Sequence, residues 1–153
     1  MSIREEIEKQ YKESIINKKS DLTNTLRLIK SAIKDKDISV RSSGVKDGIK
    51  DSEILALLQT LVKQRNDSIE SFKQADRKDL VDKEELEIKI ISSFLPKQIN
   101  DSETEIIIST LIQEKNYNSL KDMGNLMKDL KSSYSGNLDM GLAGKIAKSK
   151  LSN

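Results

Sequence analysis

The chain has no cysteine and no histidine among its 153 residues. Disulfides, zinc clusters, thiolate nucleophiles, imidazole bases and histidine-ligated heme are all excluded together, so neither metal nor cofactor is expected. Missing cysteine suits a reducing cytosol but is also tolerated outside one. Tryptophan is absent and aromatics make up 3% of residues. Core volume must therefore come from Ile and Leu, and base stacking on aromatic platforms has few residues to use, which counts against RRM-like or OB-like modules. No apolar run approaches the ~20 residues that cross a bilayer. Glu5 and Glu6 make the start acidic, and no long apolar core follows, so neither a secretory signal nor a transit peptide is expected. These features read as a soluble, cytoplasmic protein with no membrane partner.

Charge of one sign is also scarce. Charged residues are 34% of the chain, yet the net charge is only +2. That is an evenly charged surface and not the footprint of a strong nonspecific nucleic-acid binder. DNA is not an expected partner, and any RNA contact must come from local patches.

There is one proline, Pro96. A proline disfavours helix at the residue before it, so the helix leading into it should stop at Phe94 or Leu95. Just beyond, Ser102 with Glu105 has capping-box spacing beside Asp101, and an apolar run follows from Ile106 to Ile112. The chain should therefore divide into residues 1–95 and 96–153. At 35% apolar residues, the expectation is an all-α protein with an antiparallel four-helix bundle followed by a smaller three-helix bundle.

In the first part, Ile3, Ile7, Tyr11 and Ile15 form one face of a helix reaching about Asn17. Ser20 or Asp21 can cap the second, in which Leu22, Leu26, Ile29 and Ile33 face inward while Arg27, Lys30 and Lys34 line up away from them. Lys18 to Lys50 holds nine basic against four acidic residues. Arg27, Lys30 and Lys34 are thus either a solvated face or a phosphate-contacting stripe. From Ile38 to Lys50 the pattern breaks into a polar loop expected to be mobile; no lysine-serine or lysine-threonine pair follows its glycines, so a P-loop reading fails. Asp51 or Ser52 should cap a long third helix ending near Ala75, and Asp79 a fourth, with Leu80, Leu86, Ile90, Ile91 and Phe94 on its apolar side.

An arginine sits in the apolar stripe of the third helix. With Ile54, Leu58, Leu61, Ile69 and Phe72 on one face, the 3.6-residue period puts Arg65 in the middle. The guanidinium either snorkels to water, pairs with an acid of the run Asp79, Asp82, Glu84, Glu85 and Glu87 returning antiparallel, or binds an external anion. The acids read as first-turn residues and partners for Arg65 and Arg77, not as a glycosidase or metal constellation.

In the second part, helices are expected over about 102–115 and 120–132, the latter with Leu126, Met127 and Leu130 inward. Asp139 should cap a last helix with Leu142, Ile146 and Leu151 on its apolar edge. Lys115 to Asn153 holds seven basic and three acidic residues, locally +4. Glycine inside a helix costs ~1 kcal/mol against alanine, so Gly124 needs a reason. Close helix packing against Gly141 or Gly144 is one, approach of a ligand or RNA backbone the other; Asp122 reads as a local cap or turn former.

Lys63-Gln64-Arg65, Ser68, Phe72, Ala75, Arg77, Asp79, Leu80, Glu84, Glu87 and Leu95-Pro96 resemble the signature of the GatB/YqeY family. The likeness continues through Asp122-Met123-Gly124, Met127, Gly136 and Asp139, and so covers nearly the whole chain. Departures are Phe94 in place of a common tyrosine, Ser92 of a frequent acid and Met140 of a usual glycine. The resemblance implies a stand-alone YqeY-like protein related to the tail of the aspartyl/glutamyl-tRNA amidotransferase B subunit, a carbon-nitrogen ligase with glutamine as amido-N-donor. It also implies tRNA, amidotransferase subunits or another translation-related protein as partner. Without His or Cys, and with no Ser-Lys constellation, nucleophile elbow or Gly-rich nucleotide loop, the chain itself reads as an accessory and not as a stand-alone amide-transfer enzyme. Candidate RNA contacts are Arg27, Lys30 and Lys34, or Lys121, Lys128, Lys131 and Lys145; the other reading is an adaptor docking on a partner protein.

Overall fold

The computed structural model describes residues 1–152 and contains, among them, seven α-helices, one short 3-10 turn and no strand. The chain is all-α and separates into two compact units, Met1–Leu95 and Pro96–Asn153; Asn153 itself lies outside the described residues.

The first unit holds α1 (Ile3–Ile16), α2 (Ser20–Arg41), α3 (Asp51–Gln74) and α4 (Lys78–Ser92). Its core is Ile7, Leu26, Ile29, Ile33, Ile49, Ile54, Leu58 and Ile91, which collects the inward stripes of α2 and α3. On α1 the stripe stops short of expectation. Ile15 is half exposed, whereas Ser14 is buried with its hydroxyl 2.7 Å from that of Thr23, because a tight turn at Lys18 (φ 54°) brings α2 over that side.

Several predicted caps move by a residue or two. Neither Ser20 nor Asp21 caps α2: Lys19 stands at that position without a side-chain bond. Helix α2 runs on to Arg41 through residues expected in the loop. Ahead of α3 the cap position is Lys50, whose N–H is taken by Glu53 Oε1 at 3.2 Å. Asp79 does not cap α4; Arg77 stands there, and the Asp79 carboxylate instead accepts from the Arg77 guanidinium at 3.0 and 3.1 Å. Helix α4 ends at Ser92, not at Phe94 or Leu95, because the final turn tightens into i to i+3 bonds from Ser93, Phe94 and Leu95 ahead of Pro96.

The polar loop after α2 is tied down at its far end. Asp37 accepts from Arg4 at 2.7 and 3.0 Å and from the Ile49 N–H at 2.8 Å, while Arg4 also donates to the Ile49 carbonyl at 3.1 Å. Ile49 is thereby seated in the core.

The second unit holds α5 (Asp101–Lys115), a 3-10 turn (Leu120–Asp122), α6 (Met123–Ser133) and α7 (Met140–Leu151). Its core is Ile108, Leu126, Leu130, Leu138, Ala143, Ala147 and Leu151. The inner edge of α7 is formed by the two alanines with Leu151, while Leu142 and Ile146 are only half-buried. Helix α5 is capped two residues ahead of the predicted Ser102–Glu105 box: Asn100 Oδ1 accepts from the Glu103 N–H at 2.8 Å and its Nδ2 donates to the Glu103 carboxylate at 2.9 Å. Asp139 caps α7 as expected, accepting from the Leu142 N–H at 3.1 Å. No helix among the described residues is long and apolar enough to cross a membrane.

Candidate nucleic-acid interface

The predicted basic residues fall in two places, one in each unit. In the first, Arg27, Lys30 and Lys34 line a groove of about 670 Å³ between α1 and α2, over a floor that includes Ile7, Tyr11 and Ile33. The groove is not uniformly positive. Lys30 Nζ bonds Glu8 at 2.8 Å and sits 4.0 Å from the centre of the Tyr11 ring, a cation–π distance. The same bond holds the Glu8 carboxyl below its ordinary range. The Arg27 guanidinium lies 6.0 Å from that ring and reaches the Tyr11 hydroxyl at 3.5 Å. At the groove's far end the Arg4 guanidinium holds the Asp37 carboxyl below its ordinary range. Sequence pattern gave no sign of Glu8, Tyr11 or Asp37 here, because each contact joins α1 to a neighbour many residues away.

In the second unit Glu105 of α5 pairs with Lys150 at 3.4 Å, while the acids that follow Lys115 are engaged away from the lysines. Asp122 Oδ2 accepts from the Asn118 N–H at 2.8 Å and the Ser119 N–H at 3.4 Å, shaping the turn into the 3-10 segment as expected. Asp129 accepts from the Tyr117 hydroxyl, which raises that phenol's pKa. Asp139 is occupied in its cap. These are the three acids between Lys115 and the end of the chain. Lys121 in the 3-10 turn, and Lys128 and Lys131 on one face of α6, are exposed and make no ion pair among the described residues.

Lys128 and Lys131 border an open depression of about 550 Å³ with Gly124, Met127 and Ser132. Lys145 is exposed on α7 and is not part of that lining. Packing does not explain Gly124. A Cβ built there, or on Gly144, would meet nothing within 4 Å, and one on Gly141 meets only the Asp139 carboxylate at 3.3 Å. The expected tight contact between Gly124 and the glycines of α7 is therefore absent.

Among the motif residues, Arg65 is resolved in favour of the internal pair. Its Nε donates to Glu87 Oε2 at 2.8 Å, with Glu84 4.0 Å away, and Nη1 donates to the Leu61 carbonyl at 3.1 Å. Arg77 pairs with Asp79 at the surface. No group of three or more acids that would hold a metal ion occurs among the described residues.

A model of the family described as Yqey-like protein matches residues 4–151. The chain is 36% identical over 110 residues to altered inheritance of mitochondria protein 41, mitochondrial, of Lachancea thermotolerans, covering 71% of this chain and 57% of that protein. It is 30% identical over 95 residues to an uncharacterised protein of Schizosaccharomyces pombe, covering 62% of this chain and 73% of the relative. The protein of the first name from Vanderwaltozyma polyspora is 27% identical over 124 residues, 76% of this chain and 64% of its own. The match thus spans less than two thirds of the length of the Lachancea and Vanderwaltozyma proteins.

Proposed function

The chain belongs to the family of Yqey-like proteins, and on that footing we propose that it is an accessory tRNA-binding module related to glutamine-dependent tRNA amidotransferases, without a catalytic centre of its own. The observation that carries this reading is the row Lys121, Lys128 and Lys131: three exposed ammonium groups, one in the 3-10 turn and two on one face of α6, in a stretch whose acids are held by a phenol and by backbone N–H groups. Such a row suits phosphates at helical spacing and reads shape rather than base sequence. Lys145 adds to the positive field of this unit. Arg27 and Lys34 are a secondary set, because Lys30 beside them is already satisfied by Glu8.

The same reading takes the first unit as an antiparallel four-helix bundle and the second as a smaller three-helix bundle, which their separate cores support. A cytoplasmic location belongs to the proposal as well; the word mitochondrial is part of the yeast relatives' name.

Filter binding of bulk tRNA tests it. Binding is expected to be weak and salt-sensitive, and replacement of both Lys128 and Lys131 by Glu should reduce affinity at least tenfold at low salt. Unchanged affinity would remove the α6 face from the site. The competing reading is an adaptor that docks on a translation-related protein, favoured by exposed Ile106 and Leu120 in this unit. Partner capture that survives nuclease treatment, with no tRNA bound by the pure chain, would replace the RNA reading by that one.

A further inference from the structure

Gly124 lies near the start of α6, directly after the 3-10 turn, so the helical stretch has already begun when the chain reaches it. Its φ is not in the left-handed region, and a methyl group there would meet no atom within 4 Å. Nothing inside the protein therefore requires glycine, although alanine would favour the helix. The residue is exposed, and it lines the depression whose rim carries Lys128 and Lys131. Lys128 four residues after it and Lys131 seven after share its face of α6, and Lys121 lies in the 3-10 turn just ahead of the helix. The Ser132 hydroxyl lines the same depression and has no hydrogen bond among the described residues.

We propose that Gly124 is the contact point at which an RNA phosphodiester backbone lies directly against α6, with Lys121, Lys128 and Lys131 neutralising its phosphates and Ser132 free to donate to one of them. This rests on the RNA-binding reading above and adds the reason for the glycine. A bare Cα lets a sugar-phosphate chain approach the helix more closely than any side chain permits, and the first turns of a helix present positive partial charge to an anion. An acidic peptide fits less well, because Met127 is the one apolar side chain lining the depression and nothing in it would seat further side chains.

The test uses the full chain, bulk tRNA and two variants, Gly124→Ala and Gly124→Leu. Gly124→Ala should raise the melting temperature by about 1–4 °C while weakening tRNA binding about fivefold. Gly124→Leu should weaken binding further. The slope of log affinity against log salt should be unchanged in both, since no charge is lost, whereas Lys128→Gln should reduce it by about one unit. If the wild-type chain binds no tRNA, the functional reading itself fails. Wild-type binding with Gly124→Ala binding equally well overturns this inference alone, and so does a Gly124→Ala chain that is destabilised, because the fold would then explain the glycine. Polyglutamate displacing tRNA at equal charge concentration would overturn the assignment to a nucleic-acid backbone.

Discussion

Replacing Arg65 by alanine is the sharpest test of how the first unit is held together. The guanidinium is 14% exposed and Glu87 12%, with Glu84 at 20%, so all three polar groups have lost most of their water. Alanine would remove a charged hydrogen bond at 2.8 Å and a second one to the Leu61 carbonyl. It would also leave two neighbouring carboxylates at the α3–α4 contact with no cation between them. Hydrogen bonds to charged groups contribute about 1.5–3 kcal/mol, and stripping a fully buried pair of one partner costs about 3–5 kcal/mol. Residual water access here places Arg65→Ala at about 2–3 kcal/mol. With a urea m-value of about 1–3 kcal/mol/M, the midpoint read by circular dichroism at 222 nm should fall by about 1 M or more, and amide exchange should localise the loss to α3 and α4. The double variant Arg65→Met with Glu87→Leu should recover most of the loss, giving a coupling energy above about 1 kcal/mol, since apolar replacement of both partners leaves no stranded charge at Glu87. A cost below about 0.5 kcal/mol for Arg65→Ala, or strictly additive single variants, would refute the pairing argument and mean that the guanidinium lives in water.

Asp37→Ala should destabilise the first unit by about 2 kcal/mol, because it strands the Ile49 N–H and frees Arg4; chemical denaturation measures it. Arg4 holds the folded-state pKa of Asp37 below the ordinary value, so its contribution is present above the usual aspartate pKa of about 3.9 and is lost as pH falls through the folded value. Stability of the wild-type chain should thus drop more steeply below about pH 4 than that of Asp37→Asn. Asp122→Ala should cost about 1 kcal/mol in the second unit through loss of the Asn118 and Ser119 N–H contacts, read as a lower melting temperature. Glu8→Gln releases Lys30 in the α1–α2 groove; tRNA affinity should stay within about twofold, and a tenfold rise would bring that groove into the site.

What the sequence made legible was whatever depends on periodicity. The stripe Leu26, Ile29 and Ile33 is buried as its spacing demands, and Arg65 finds its partner in the acidic run because a tight turn between α3 and α4 makes their pairing nearly local. Asp122 and Asp139 act on backbone within four residues, so short-range chemistry was enough. The shifted caps at Lys19, Lys50, Arg77 and Asn100 show the limit of that chemistry: several adjacent polar residues compete for one cap position, and tertiary packing of the helix decides among them. The clamp of Arg4, Asp37 and Ile49 spans 33 and 45 residues, and no local pattern encodes it. The buried edge of α7 was misread for another reason: Ala143 and Ala147 carry little hydrophobic weight, yet their small size makes them the side that fits against a neighbouring helix.

The two basic sets show why counting charge along a sequence does not locate an interface. Lys18 to Lys50 carries the larger local excess, five against four for Lys115 to the end. In the fold, α1 lies alongside α2 and brings Glu8 onto Lys30, the middle residue of the Arg27, Lys30 and Lys34 set, so part of that excess is spent internally. In the second unit Lys150 pairs with Glu105 of α5, and neither belongs to the α6 set. Asp122, Asp129 and Asp139 accept from backbone N–H groups and a tyrosine, which keeps their oxygens away from the lysines. Lys128 and Lys131 on α6 are left without an ion pair among the described residues, next to a glycine for which the interior has no use. A polyanion meeting this surface need not displace an internal partner first, and that difference in desolvation and competition is what favours α6 over α2 as the site of contact.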